Sequence, residues 1–177
     1  YFFLNGAWRR TGKSLSTSFD DAPLSPGEAF VVRNADPDSQ DDLMFLPAGN
    51  LPLTVVARSV DNATAEDFVI STGRPTGIEL SDLGLGGTAA FVDAVKSPAL
   101  PILTSPGDRI LVYENNGDDF NNAPNASYFY LNGHWRKVGS AFDVSQDDVL
   151  LLPGQGVVLR KNGGGSGTAT WTNRAPY

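Results

Sequence analysis

The chain has one histidine, His134, and no cysteine among its 177 residues. A catalytic imidazole needs a nucleophile and an orienting carboxylate in an associated motif, and none accompanies His134. Its counterpart in a duplicated segment of the same chain is Ala7, so the imidazole is not shared machinery. Without cysteine there is no disulfide, zinc–thiolate site or thiol nucleophile. No P-loop, dinucleotide glycine fingerprint or metalloprotease His pair occurs. The run Gly84-Leu85-Gly86-Gly87 lacks the strand-then-helix context of a phosphate loop and reads as a turn. Carboxylates are the remaining candidates. Asp36, Asp38 and Asp41, with Asp42, share one polar loop; Asp118 and Asp119 share another with Asn115, Asn121 and Asn122. Oxygen-rich loops can coordinate calcium, although the EF-hand spacing is missing and Asx turns account for the same residues. A glycosidase needs two carboxylates about 5–9 Å apart in a cleft, and no pair is placed that way by sequence. Asn62-Ala63-Thr64 and Asn125-Ala126-Ser127 match the glycosylation sequon, a motif short enough to arise by chance. The chain is therefore read as a non-enzyme with no catalytic or cofactor-binding residue, calcium being the one metal considered.

The elements that position these residues are legible from a repeat. Residues 1–33 lie on residues 128–160 at an offset of 127, without a gap. Tyr-Phe-Phe-Leu-Asn-Gly-Ala-Trp-Arg-Arg from Tyr1 matches Tyr-Phe-Tyr-Leu-Asn-Gly-His-Trp-Arg-Lys from Tyr128 at seven of ten positions. In the same register Gly12 meets Gly139, Asp20-Asp21 meets Asp147-Asp148, Pro26-Gly27 meets Pro153-Gly154, and Arg33 meets Arg160. A self-match of this length marks duplicated structural units. In each copy an aromatic run enters Asn-Gly, the dipeptide of a type I′ hairpin turn, and a Trp-containing strand returns. A third strand follows Pro-Gly, at 28–33 and 155–160, so each copy is expected to be an antiparallel meander. Trp8 and Trp135 are its expected core residues, each burying about 200 Å²; sugar stacking is the alternative role. The Asp pair has a second echo, since Ser39-Gln40-Asp41-Asp42 and Leu46-Pro47 recur as Ser145-Gln146-Asp147-Asp148 and Leu152-Pro153.

Composition agrees with many short strands: 19 Gly and 12 Pro break the chain often, and 41% hydrophobic residues suffice for a core. A net charge of −7 disfavours a nucleic-acid partner, and no apolar run approaches the roughly 18 residues of a membrane span. We expect three regions: residues 1–60, a first β module without its first strand; residues 61–104, a connector with at most a turn or two of helix; and residues 105–177, a second β module with a C-terminal strand. That second module opens with the alternating strand 107–114. The chain begins at Tyr1, inside a repeat and without methionine, from which processing or a longer parent is expected. The gap left in copy one could be filled by the strand 53–58, by a neighbouring molecule, or by the tail strand, which follows the tether 163–167 and carries Thr168, Thr170, Trp171 and Thr172.

Gly107-Asp108-Arg109-Ile110-Leu111-Val112-Tyr113, the Tyr-Phe-Tyr-x-Asn-Gly-x-Trp-Arg hairpin, residues 152–160 and Trp171-Thr172-Asn173 together resemble a secreted, repeat-containing family of verrucomicrobial and related bacteria. Its blocks read GD…YYYNG.WR.VG…PG.G..(I/L)R and follow a signal peptide. The resemblance implies export and repetition and supplies no catalytic residue. The resulting expectation is an all-β, sandwich- or barrel-like protein of two related modules, secreted or held at the cell surface. It would assemble with copies of itself into a filament or coat, joined by strand complementation. Tyr1, Tyr128 and Tyr130 join the tryptophans and the tail as the assembly residues. The alternative is an extracellular module binding carbohydrate or another ligand, with surface glycans as partners.

Overall fold

A computed structural model describes residues 1–23, 56–70, 76–100, 102–114, 123–153 and 155–173. The described chain is built from short antiparallel strands, and its only helix is one 3-10 turn. The first hairpin comprises β1 (Phe2–Leu4) and β2 (Ala7–Arg9). Next come β3 (Val56–Asp61), β4 (Asp67–Ile70), β5 (Ile78–Glu79), the 3-10 turn Leu80–Leu83, β6 (Val95–Lys96) and β7 (Leu103–Ser105). Residues 105–177 contribute β8 (Arg109–Tyr113), β9 (Ala126–Leu131), β10 (His134–Lys137), β11 (Leu150–Leu151), β12 (Gly156–Arg160) and the closing β13 (Thr168–Asn173).

Five strands form the main sheet, in the order β10-β9-β8-β12-β4. This corrects the expected meander. β12 does not continue beside β10; it crosses to the far side of β8, where Leu159 faces Ile110 and Val157 faces Val112. The reason is burial. β8 reads Ile-Leu-Val at its centre with all three residues buried, so a strand is needed on each of its edges and a layer on each of its faces. β12 then pairs with β4, where Arg160 stands opposite Asp67 and grips it through two hydrogen bonds of 2.8 and 2.7 Å. That ion pair is half exposed; it fixes register and adds at most about 1 kcal/mol.

The main core lies on one face of this sheet. Ile110, Val157 and Leu159 pack there against Leu80, Phe91 and Trp171. Each fully buried aliphatic side chain contributes roughly 1.5–3 kcal/mol. Leu80, Leu83, Leu85, Ala90 and Phe91 thus supply the apolar face with which the segment between the modules covers the sheet. On the opposite face a smaller cluster gathers Phe129, Leu131 and Ala94, with Phe142 set edge-on to Phe129 at 5.9 Å. The alternation of β9 divides the two: Tyr128 faces the main core and Phe129 and Leu131 the smaller one.

Tail strand β13 pairs along all six residues with β3, from Thr168 opposite Asp61 to Asn173 opposite Val56. Trp171 is core, and its Nε1–H donates to the Leu83 carbonyl at 2.8 Å. Thr168, Thr170 and Thr172 form the exposed edge of the alternation. The tail strand, one of the three candidates for the gap in copy one, thus pairs with β3 and not with the first hairpin. The expected third strand of copy one and the calcium candidates Asp36, Asp38, Asp41, Asp118 and Asp119 fall outside the described residues.

Candidate functional site

The same hairpin occurs twice, in two environments. Locally the copies share the same turn, cross-strand pairing and backbone hydrogen bonds. Asn5 and Asn132 take φ of 51° and 52°, and Gly6 and Gly133 take 76° and 83°, the two positive values a type I′ turn demands. Phe3 pairs with Trp8 as Tyr130 pairs with Trp135, and each aromatic meets its Trp edge-on, at 5.5 and 5.3 Å. Behind each Trp the loop returns an aspartate. Trp8 N–H donates to Asp20 Oδ1 and Trp135 N–H to Asp147 Oδ1, both at 2.7 Å. Trp8 and Trp135 carbonyls accept from Phe19 and Gln146 N–H, both at 2.9 Å. The repeated Asp is thus a clip that ties the loop to the hairpin, and its first member does the tying.

The second carboxylate oxygen marks where the copies part. In copy one Ser18 Oγ donates to it; in copy two it meets His134 Nδ1 at 2.6 Å. His134 is thereby a surface partner of Asp147, with half of its side chain exposed. Burial pushes the Asp147 carboxyl up, but the hydrogen bonds from His134, Trp135 N–H and Ser145 outweigh it and leave it below the usual carboxylate range. For Asp20, the Ser18 hydroxyl and the Trp8 N–H lower it in turn.

Burial separates the copies altogether. Trp135 is 1% exposed, wedged between Tyr130 and Phe91, whose ring lies 5.1 Å away. Tyr130 lies flat over Gly86, where a Cβ would come within 2.3 Å of its ring. Tyr128, Phe129 and Leu131 are buried too. In copy one Tyr1, Phe3 and Trp8 are 64%, 62% and 42% exposed. This corrects the expectation of two equivalent core tryptophans. Among the described residues β1 and β2 pair only with each other, and no second Phe91 lies against Trp8. Burial of a tryptophan is decided by what packs on it, and among the described residues that covering layer lies on Trp135 alone.

No protein-family model, curated protein or solved structure matches this chain. Its site must be read from its own geometry.

A second constellation was not singled out by sequence. Lys161, Asp108 and Asn62 meet inside the protein, with the Lys161 and Asp108 side chains wholly buried and Asn62 6% exposed. Lys161 Nζ donates to an Asp108 Oδ2 pressed against it, to Asn62 Oδ1 at 2.7 Å and to the Ala90 carbonyl at 3.0 Å. Asp108 also accepts from Val92 N–H at 2.7 Å and Asn162 N–H at 2.9 Å. Asn62 Nδ2 donates to the Ala89 carbonyl at 2.8 Å. The signal available was the two-residue alternation: Asn62 follows Val60, Asp108 precedes Ile110, and Lys161 follows Leu159, each one residue beyond the end of its strand and in step with its buried residues. Burial also removes Asn62 from use as a sequon in the folded chain. Among the described residues no group of His, Asp and Glu could hold a metal ion, and no helix is long and apolar enough to cross a membrane.

Proposed function

We propose that this chain is a secreted or cell-surface structural protein that assembles with copies of itself, and that the first hairpin is its joining face. The observation that carries this reading is Trp8 with Tyr1 and Phe3. Of their sequence counterparts, Tyr128 and Trp135 are buried and Tyr130 packs against the core, whereas these three stand in solvent. Contiguous exposed aromatic surface is rare on a monomer and marks interaction sites. The face offers an aromatic patch and, among the described residues, an unpaired edge of β1, which suits strand addition. A contact between this face and a different surface of the next copy need not close, and repetition would give a filament. The two-module architecture belongs to the same proposal: the first hairpin completes its aromatic packing in the assembly.

Light scattering tests it. The native chain should grow in mass with concentration, and Phe3→Asp with Trp8→Asp should stay monomeric while keeping the circular dichroism of the main sheet. Native chain that is monomeric at every concentration would refute assembly. One observation favours a second reading: an open aromatic platform also suits the stacking of a sugar ring. Quenching of Trp8 fluorescence by oligosaccharides, without growth in mass, would select that reading.

A further inference from the structure

We propose that Lys161 and Asn62 become joined by an intramolecular isopeptide bond, formed by the protein on itself with Asp108 as proton carrier. A buried ion pair alone does not require a carboxamide, and burying two charges costs several kcal/mol per ion before their attraction offsets it. Here the amine is placed on the carbonyl oxygen of Asn62 at 2.7 Å. With a C=O bond of about 1.23 Å, the Lys161 Nζ and Asn62 Cγ can be no more than about 4 Å apart, close to a near-attack arrangement. Both groups are held. Asn62 is fixed by Ala89 and by its own backbone bonds to Gly165 and Gly167, and Asp108 by Val92 and Asn162.

The step balances as follows. Lys161 ammonium passes one proton to Asp108 Oδ2, which touches it, and the neutral amine attacks Asn62 Cγ. The Nζ–Cγ bond forms and the Cγ–Nδ2 bond breaks. Nδ2 departs as ammonia, taking the proton that Nζ loses on becoming an amide nitrogen. Asp108 keeps the first proton or releases it with the ammonia as ammonium. No oxidant, metal or cofactor takes part. The wholly buried side chains of Lys161 and Asp108 keep water from competing for the carbonyl. The reaction occurs once per molecule and clamps the end of β3 to the end of β12 across 99 residues of chain.

The intact mass of the purified, denatured chain decides the matter, together with its proteolytic peptides. The expected mass is one ammonia below that of the sequence, with a branched peptide linking the segments around Asn62 and Lys161. Lys161→Arg and Asn62→Ala should show their full sequence masses. Asp108→Asn should form the bond at least about 100-fold more slowly, the usual contribution of a positioned proton carrier. Because the native chain is measured first, a variant that fails to fold leaves the test intact. A full native mass overturns the proposal. So does loss of one water, which would place the bond on Asp108. Loss of ammonia without the branched peptide also overturns it, because a succinimide at Asn132-Gly133 or Asn5-Gly6 has the same mass.

Discussion

Replacing Trp135 with Ala removes the side chain on which the second hairpin, the 3-10 segment and Phe91 converge. A buried Trp covers about 200 Å²; at about 25 cal/mol per Å² this is worth about 5 kcal/mol. Ala retains part of that, and large-to-small truncations of this kind cost about 3–5 kcal/mol. Trp8→Ala is the internal control, because the turn, the cross-strand aromatic and the aspartate clip are the same. With Trp8 42% exposed against 1% for Trp135, its truncation should cost under about 1 kcal/mol, as surface changes do. Urea unfolding of dilute protein, followed by far-ultraviolet circular dichroism, gives both values. Equal costs at the two positions, or a cost below about 1 kcal/mol at Trp135, would refute the assignment of core and surface.

Asp147→Ala should cost about 1.5–3 kcal/mol, typical of a hydrogen bond to a charged group, and should disorder the loop before β11 in hydrogen exchange. Since the folded Asp147 carboxyl lies below its ordinary value of 3.8, its stabilisation is complete above about pH 5 and is lost as pH falls through the lowered value; a titration of stability that stays flat there would contradict the clip. Gly86→Ala drives a methyl into the Tyr130 ring and should cost about 1–3 kcal/mol by overpacking, measured by the same urea unfolding. Deleting residues 168–177 strips β3 of its partner and removes Trp171, so it should lower the thermal midpoint sharply instead of merely abolishing assembly.

The turns were legible because their chemistry is local: Asn-Gly at positions 5–6 and 132–133 dictates the backbone whatever surrounds it. Strand positions within the second copy were legible for the same reason, as in the alternation of β12. The sheet order was not. β12 leaves β10 for β8 because β8 is apolar on both faces, a demand that appears only once three strands compete for one edge. Trp8 and Trp135 lie in nearly the same words, so no local pattern could separate them; the difference is Phe91 and the segment around it, far away in the chain. Lys161 was hidden by its charge. Reading the alternation one step further, past Leu159, places it inside, and the same step reaches Asp108 and Asn62.

Residue-resolved oxidation of tryptophan, read by mass spectrometry across a concentration series, tests the joining face most directly. The account requires Trp8 to be oxidised readily in dilute protein and to become protected as the mass of the assembly grows, while Trp135 and Trp171 stay protected throughout. Trp8 that remains equally reactive in assembled protein would contradict it.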